Sequence, residues 1–555
     1  MTSTNSKLKV IPLGGVDEFG KNMTIIEYED EIIVIDCGLM FPDEEMLGVD
    51  IVIPDITYLK NNKDKIKGVF LTHGHEGHIG AIPYLLKEIN VPVYSTKLTI
   101  ALVKNKLKEH KILSKSKLNI VEPEKIIKFQ NFKIEFIKNS HSIPDSCAIA
   151  IYTPVGTVLH TGDFKIDYTP TYEKKMDINK IVELGKKRLL LLLADSTNVE
   201  KQGYSLSESV EEEVFDKIFY NAKGRVIVAN FAANIQRMQQ IINTSVKYNR
   251  KVAITGKSLE VIADTCIELG YIKIPKENLI NIDEERNYPD NEITIITTGN
   301  QGEPMSVLYK IASSVHKKIQ VKKGDLVVIS SAPVPGNEKF ISKVINELYK
   351  KGASVIYKEL EKIHESGHAS VEELKLLHTL LKPKFFVPIH GEYRHLKLHA
   401  KLAEKLGMNK SKIFILDTGQ TLELSNKSAK KAKRVPSGKI LVDGLGVGDV
   451  GNIVLRDRRF LSREGILTVV ITIEKESFNV LAGPDIVSRG FVYIRESEEL
   501  MLESKEIVKK SLNRCLDNNI TEWAVIKSNI KNDLKDFLYS KTKRKPIILS
   551  IIMEI

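Results

Sequence analysis

The chain has 555 residues, 42% hydrophobic and 28% charged, with 82 Lys and Arg against 71 Asp and Glu for a formal net charge of +11. At about 150 residues per domain the length suggests roughly three or four domains, and the composition excludes disordered and collagen-like classes. Four cysteines, Cys37, Cys147, Cys266 and Cys515, are too few and too widely spaced for a disulfide framework or a CxxC metal site, which points to a reducing cytoplasm.

The opening stretch, MTSTNSKLKVIPLGG, lacks the apolar core of a signal peptide, and no run approaches the roughly 20 apolar residues of a membrane span. A soluble protein with no membrane partner is expected. KLKVIPLGG, NMTIIEYED and EIIVIDCG read as strands joined by hairpin turns, GVFLTHGH as a buried strand entering a His-rich loop, and SCAIAIYT with GTVLHTGD as a hairpin turned by PVG. RLLLLLADSTN ends its apolar run abruptly at Asp195. With the helices between them these strands predict a two-layer α/β architecture.

From about residue 215 to 370 the pattern changes to strand, helix, strand, in GRVIVANFA, NIQRMQQIINTSVKY, KVAITG, EITIITTGNQGEP and DLVVISSAPVPGNE, as in a parallel-sheet unit. KPKFFVPIH returns to the earlier style, and GEYRHLKLHAKLAEKLG is a helix stopped by Gly407. NKSAKKAKRVPS is basic and apolar-poor and reads as a linker. Short β-rich stretches and the helix around SKEIVKKSLNRCLDNN then form a small C-terminal domain.

The strongest local signal is Thr72-His73-Gly74-His75-Glu76-Gly77-His78, which holds three of the chain's 13 histidines. A tight glycine-containing loop after a buried strand turns several imidazoles toward one point, where neutral nitrogen ligands suit Zn2+ or a similar ion. Further candidates sit where other strands end: His141 in NSHSIPD, Asp163 in HTGDFK and His390 in VPIHGEYRH. A lone histidine is more often an ordinary polar contact. The shared position at strand ends is what argues for convergence.

These residues also carry a family resemblance. VIDCG with Asp36, the HGHEGH loop, His141, and TGD with Asp163 look like the four successive motifs of the metallo-β-lactamase fold. ADSTN with Asp195, HESGH with His368, and PIHGE with His390 look like the three further motifs of its nucleic-acid-processing β-CASP branch. VDGLGVGDVGNIVLRDR and the C-terminal part resemble the bacterial ribonuclease J family within that branch, and the likeness runs from about residue 8 to the end. It implies an αβ/βα sandwich formed by 1–214 and 371–425, a β-CASP α/β domain inserted at 215–370, a linker at 426–448, and an α+β C-terminal domain at 449–555 that mediates dimer or tetramer formation.

Carried over residue by residue, the resemblance places His73, His75 and His141 on one metal, with Asp163 bridging to a second held by His78 and His390, the ions being Zn2+ or Mn2+. Asp36 and Asp195 would orient ligand imidazoles. His364, Glu365, Ser366, Gly367 and His368 would grip a phosphate, with His368 stabilising or protonating the leaving oxygen. Gly48, Asp50 and Asp443 resemble a structural calcium site. NFAANIQR resembles a nucleotide-contacting turn in which Ala233 replaces the usual Ser while Asn234 and Arg237 remain.

One departure stands out. The family loop reads His-x-His-x-Asp-His, and Gly77 occupies the Asp position. Glycine offers neither charge nor ligand oxygen, and Glu76 points away from that place. The second metal is therefore expected to bind more weakly than the first. The resemblance implies a metal-dependent ribonuclease making internal cuts and 5′-to-3′ exonucleolytic cuts on 5′-monophosphorylated RNA, in RNA maturation and mRNA decay. Gly77 opens a second reading, a weakly active RNA-binding subunit working beside a paralogue or other RNA-degradation proteins.

Overall fold

The computed structural model describes residues 7–170, 175–299, 306–330, 338–357, 367–475, 479–492 and 497–555. Continuous apolar runs mark strands covered on both faces. Leu8–Gly14, Met23–Tyr28 and Glu31–Ile35 are such runs and form an antiparallel meander, which Ile66–Phe70, Val93–Ser95 and Leu118–Ile120 extend in parallel. On the other side Gln420–Leu424 pairs with Leu8–Gly14, and Ala429–Arg434 completes the 8-stranded sheet at its edge.

A 6-stranded sheet faces it, in the order Phe385–Ile389, Leu191–Asp195, Thr157–His160, Cys147–Tyr152, Lys133–Lys138, Ile126–Lys128. Leu8, Val10, Ile33 and Phe70 of the first sheet share one core with Phe136, Ile149, Leu191 and Val387 of the second. The second sheet's outer face, through Ala150, Leu159, Leu192 and Phe386, is covered by Ile181 and Leu184 of helix Ile178–Lys186 and by Leu374 and Leu377 of helix Val371–Leu381. Helix Lys97–Glu109 lies beside the Val93–Ser95 and Leu118–Ile120 strands of the first sheet. The αβ/βα sandwich is thus present, with its two faces closed by helices.

A third sheet, all parallel, runs Leu279–Ile280, Lys251–Ile254, Ile293–Thr297, Val226–Ala229, Leu326–Ile329, Ser354–Ile356. This is the inserted α/β unit, with its own core of Ile227, Ile295, Val327 and Leu348. Buried Arg225 is neutralised there by Asp325 at 2.7 Å and Glu285 at 3.0 Å.

The chain divides into two compact units, residues 1–40 with 52–440, and 41–51 with 441–555. In the second unit Ile466–Ile473 is the central strand between Val480–Arg489 and Ile547–Glu554, and helices Glu498–Asp517 and Trp523–Thr542 bury Val508, Leu512, Ile530 and Leu534 with Leu467, Val469 and Ile471.

The basic segment read as a linker differs from expectation. Within it Ala429–Arg434 is a strand hydrogen-bonded to Gln420–Leu424. An edge strand has little apolar surface to bury, and exposed lysines protect it against pairing with other chains, so its composition looks like that of a tether.

Candidate metal centre

Parallel strands present their C-terminal ends along one edge of a sheet, and the candidate residues follow those ends. Asp36 follows Glu31–Ile35, the His73–His78 loop follows Ile66–Phe70, His141 follows Lys133–Lys138, and Asp163 follows Thr157–His160. Asp195 ends its strand and His390 follows Phe385–Ile389. His73, His78, His141, Asp163, Asp195 and His390 are all buried.

The first corner is a cage. His73 Nε2 and His141 Nε2 each lie 3.1 Å from His75 Nδ1, and Asp163 Oδ2 lies 3.5 Å from His73 Nε2 and 3.7 Å from His141 Nε2. A tetrahedral zinc with bonds of about 2.0–2.1 Å requires ligand atoms roughly 3.4 Å apart. The observed spacings bracket that value. The far ring nitrogens are held by neighbours: Thr72 Oγ1 is 3.0 Å from His73 Nδ1, and the carbonyl of Gly367 accepts from His141 Nδ1. Gly367 has to be glycine for that approach, since a Cβ there would sit 2.6 Å from His141 Nδ1. Burial drives the His73 and His75 imidazoles well below their usual range and His141 down to about 3, which leaves neutral rings with lone pairs available to a cation. Asp163 Oδ1 is buried without a hydrogen-bond partner among the described residues. Neutral imidazoles, a carboxylate and an orphaned carboxylate oxygen fit a divalent ion.

The second corner is looser. Asp163 Oδ2 is 3.3 Å from His78 Nε2, and Asp163 Oδ1 is 3.7 Å from His390 Nε2. Asp36 Oδ2 holds His78 Nδ1 at 2.8 Å while also accepting from the Thr72 hydroxyl. Thr197 Oγ1 lies 2.7 Å and Asp195 Oδ1 3.4 Å from His390 Nδ1. At Gly77 a side chain is missing but there is room for one: a Cβ would meet only the Gly20 Cα at 3.4 Å and Asn22 Nδ2 at 3.5 Å. The Asn22 amide occupies the neighbourhood, donating to the Gly77 carbonyl at 2.9 Å with Nδ2 3.1 Å from His78 Nε2. Glu76 turns away and forms an ion pair with Lys106 at 2.5 Å. Burial disfavours charge on His78, but Asp163 and Asp36 on either side outweigh it and push the imidazole up to about 10. Burial likewise opposes ionisation of Asp163, and the facing imidazoles of His390, His78 and His73 still hold its carboxyl well below the usual range.

Asp163, Asp195, His368 and His390 form a further convergence, with one ligand-type atom from each within 4.8 Å of the others. The His368 and His390 rings are stacked, 5.4 Å apart and 20° from parallel. The His78 and His390 rings are stacked in the same way, 5.4 Å apart and 27° from parallel. His368 is bound through Nδ1 to Asp195 Oδ2 at 2.7 Å, and although burial lowers its pKa, Asp195 more than compensates and raises it. That pair is a hydrogen-bonded acid beside the cage.

The remaining expected site residues fall elsewhere. His364, Glu365 and Ser366 lie outside the described residues. Asn234 caps helix Ile235–Lys247 by accepting from the Arg237 N–H at 3.0 Å, and the buried Arg237 guanidinium donates to the Ser330 carbonyl at 2.6 Å. It is Phe231 in the turn before that helix that reaches the cage, with its ring 5.8 Å from that of His75. In the second unit Asp50 accepts from the Gly444 N–H at 2.7 Å, and Asp443 pairs with Arg458 at 2.5 Å, whose other nitrogen lies 2.7 Å from where a Gly48 Cβ would stand. A guanidinium thus lies among the three residues expected to form a calcium site.

Sequence reasoning passed over Thr197, Asn22 and Glu373. The buried Glu373 carboxylate accepts from the N–H groups of Ile166, Ser205 and Ser370 and from the Ser205 hydroxyl, at 2.7–2.8 Å. It ties together the segments after Asp163, Asp195 and His368. The Ser370-to-Glu373 spacing of a capping box was the available signal.

The sandwich, the inserted sheet and the cage define a metallo-β-lactamase hydrolase of the β-CASP type, and comparison with known proteins agrees. Residues 16–181 match the metallo-beta-lactamase superfamily, 223–348 the ribonuclease J beta-CASP domain, 352–415 the Zn-dependent metallo-hydrolase RNA specificity domain, and 453–555 the ribonuclease J C-terminal domain. The chain is 45% identical over 548 residues to ribonuclease J2 of Bacillus subtilis, and 44% identical over 551 residues to ribonuclease J 2 of Staphylococcus epidermidis, covering 99% of each chain in both cases. A protein of unknown function from Enterococcus faecalis shares the fold, with a TM-score of 0.52 at 17% identity over 75% of this chain and all of that one. The chain belongs to the ribonuclease J family and is by that class a ribonuclease.

Proposed function

We propose that the protein cleaves RNA, internally and from 5′-monophosphorylated ends, with one tightly held metal and a second held weakly because of Gly77. The observation that carries this is the contrast between a complete His73, His75, His141, Asp163 cage and a neighbouring corner with a glycine at the Asp position. Metal ions held by these residues would supply Lewis acidity toward the scissile phosphate and would lower the pKa of an attacking water. The chain's own groups do the rest. Asp195 orients His368 and favours its protonated form against the opposing effect of burial, so the imidazole is placed to give a proton to the leaving oxygen. The Gly367 carbonyl holds His141 Nδ1, so the residue beside His368 also orients a cage imidazole. Roles in RNA maturation and mRNA decay follow from such an activity.

Gly77 and Ala233 also favour a second reading, in which the chain is a weakly active, RNA-binding subunit of a degradation complex with a paralogue. The C-terminal domain would then serve homo- or hetero-oligomer assembly. The four cysteines are free and buried, and among the described residues no helix is long and apolar enough to cross a membrane, which supports placement in the cytoplasm.

The deciding experiment incubates the protein with 5′-monophosphorylated RNA and Mn2+ or Zn2+, alone and as Gly77→Asp. Cleavage that rises at least tenfold in the variant supports the reading. Turnover in the parent equal to that of the variant overturns the impairment, and no cleavage by either favours the subunit reading.

A further inference from the structure

The excess charge is not spread over the molecule. Residues 382–440 contain fourteen Lys and Arg against four Asp and Glu, a net of +10 out of the chain's +11. Four of the fourteen, Arg394, Lys397, Lys401 and Lys405, lie with a single acid, Glu404, on helix Tyr393–Lys405, which starts three residues after His390. Its buried positions, His395, Leu396, His399, Ala400, Leu402 and Ala403, occupy one side. Lys397, Lys401 and Lys405 recur at four-residue spacing on the opposite, exposed side, and the turn that follows exposes Lys410 and Lys412. Four helical residues rise about 6 Å, so the three ammonium groups form a ladder along roughly 12 Å of helix.

Exposed lysines usually belong to solvated, mutually neutralised surfaces. Here the neutralising partners are few. Arg394, at the start of the helix, uses both nearby carboxylates, pairing with Glu200 at 2.6 Å and Glu392 at 2.9 Å. Among the described residues none of Lys397, Lys401, Lys405, Lys410 or Lys412 stands within ion-pair distance of a carboxylate. Five cations with no carboxylate at ion-pair distance, on a helix that starts three residues after His390 and on the turn that follows it, make a one-dimensional polyanion seat in which Glu404 is the one acid of the helix.

We infer that the exposed face of helix Tyr393–Lys405 and the Lys410–Lys412 turn form a second RNA contact outside the catalytic cleft, a track that holds the backbone of a long single-stranded RNA as it passes His390. The contact is with phosphates and is independent of base sequence. It rests on the reading of the protein as an RNA-cleaving enzyme, and it adds a length preference: short oligonucleotides that fill only the cleft do not use it.

The test compares the full-length protein with a triple variant, Lys397→Gln, Lys401→Gln and Lys405→Gln, and with a control carrying Lys510→Gln, Lys531→Gln and Lys535→Gln on the second unit's helices. All six positions are exposed, so folding is preserved. Fluorescence anisotropy is read over a salt series with single-stranded RNAs of about 30 and about 6 nucleotides, a length below the reach of the track. The triple variant is expected to bind the long RNA about tenfold more weakly at 0.1 M salt, with the log–log salt slope reduced by about 2, and the short RNA unchanged. An unchanged slope with the long RNA, or an equal loss with both lengths, overturns the track while leaving the ribonuclease reading standing. A parent protein that binds neither RNA overturns that reading, and the track with it.

Discussion

The two corners of the metal centre share Asp163 and are built on adjacent strand ends, yet they differ in how completely they are furnished. The first has three imidazole nitrogens and a carboxylate oxygen all within 4.8 Å of one another, with neighbouring atoms 3.1–3.7 Å apart, each ring neutral and two of them fixed from behind. The second has two imidazoles sharing a carboxylate already engaged by the first, a glycine at the Asp position and an amide N–H pointed at a ligand nitrogen. The fold, which places strand ends, treats both corners alike. What separates them is one side chain, and our proposal is that this local chemistry, on a common scaffold, sets the metal affinity of each corner.

The largest effect that would break the contrast is removal of a cage ligand. His141→Ala is expected to lower affinity for the tighter ion more than about 100-fold and to abolish RNA cleavage, with far-ultraviolet circular dichroism unchanged. Retained tight binding would show that the cage is not the stronger site. Next, Gly77→Asp should raise second-site affinity about 10- to 100-fold, since the added carboxylate meets no atom closer than 3.4 Å at its Cβ. Isothermal titration with Mn2+ measures it. Asp36→Asn removes the charge behind His78 and should weaken the second ion about tenfold while leaving the first within a few-fold, because Asp36 touches His78 directly but reaches His73 only through Thr72.

A further effect concerns stability behind the second corner. His378 and His399 are buried with Nε2 atoms 3.2 Å apart, and His399 Nδ1 is 3.0 Å from Ser196 Oγ, beside Asp195. Burial pushes His378 down to about 4 and His399 well below its usual range. The folded state therefore resists protons that the unfolded chain accepts near pH 6.5, so this stabilisation is complete above that pH and is lost as pH falls toward 4. For His378 the loss is at most about 3 kcal/mol. Urea unfolding at pH 7 and pH 4.5 should show a smaller acid penalty in His378→Phe than in the parent.

Much of this centre was legible in the sequence because its chemistry is carried by rare residue types at strand ends. Three histidines in six residues, and His141, Asp163 and His390 after apolar runs, announced a convergence that the parallel strand ends then assemble. The sandwich and the inserted parallel sheet were readable from apolar runs and from the change in strand–helix rhythm. The edge strand Ala429–Arg434 was not, because solvent-facing lysines give it no apolar period. The Arg458–Asp443 pair and the Arg237–Ser330 hydrogen bond join residues 15 and 93 positions apart, which no local pattern announces. Glu373 and Thr197 were equally hidden, since an acid or a hydroxyl gains its role only from the loops folded around it.

The contrast between the corners rests finally on metal count. Dialysed protein is equilibrated with limiting Zn2+ and its bound metal measured by mass spectrometry, for the parent and for Gly77→Asp. One ion per chain held tightly, with a second appearing only at higher concentration in the parent and at low concentration in the variant, is the predicted result. Two ions bound with equal affinity by the parent would contradict it.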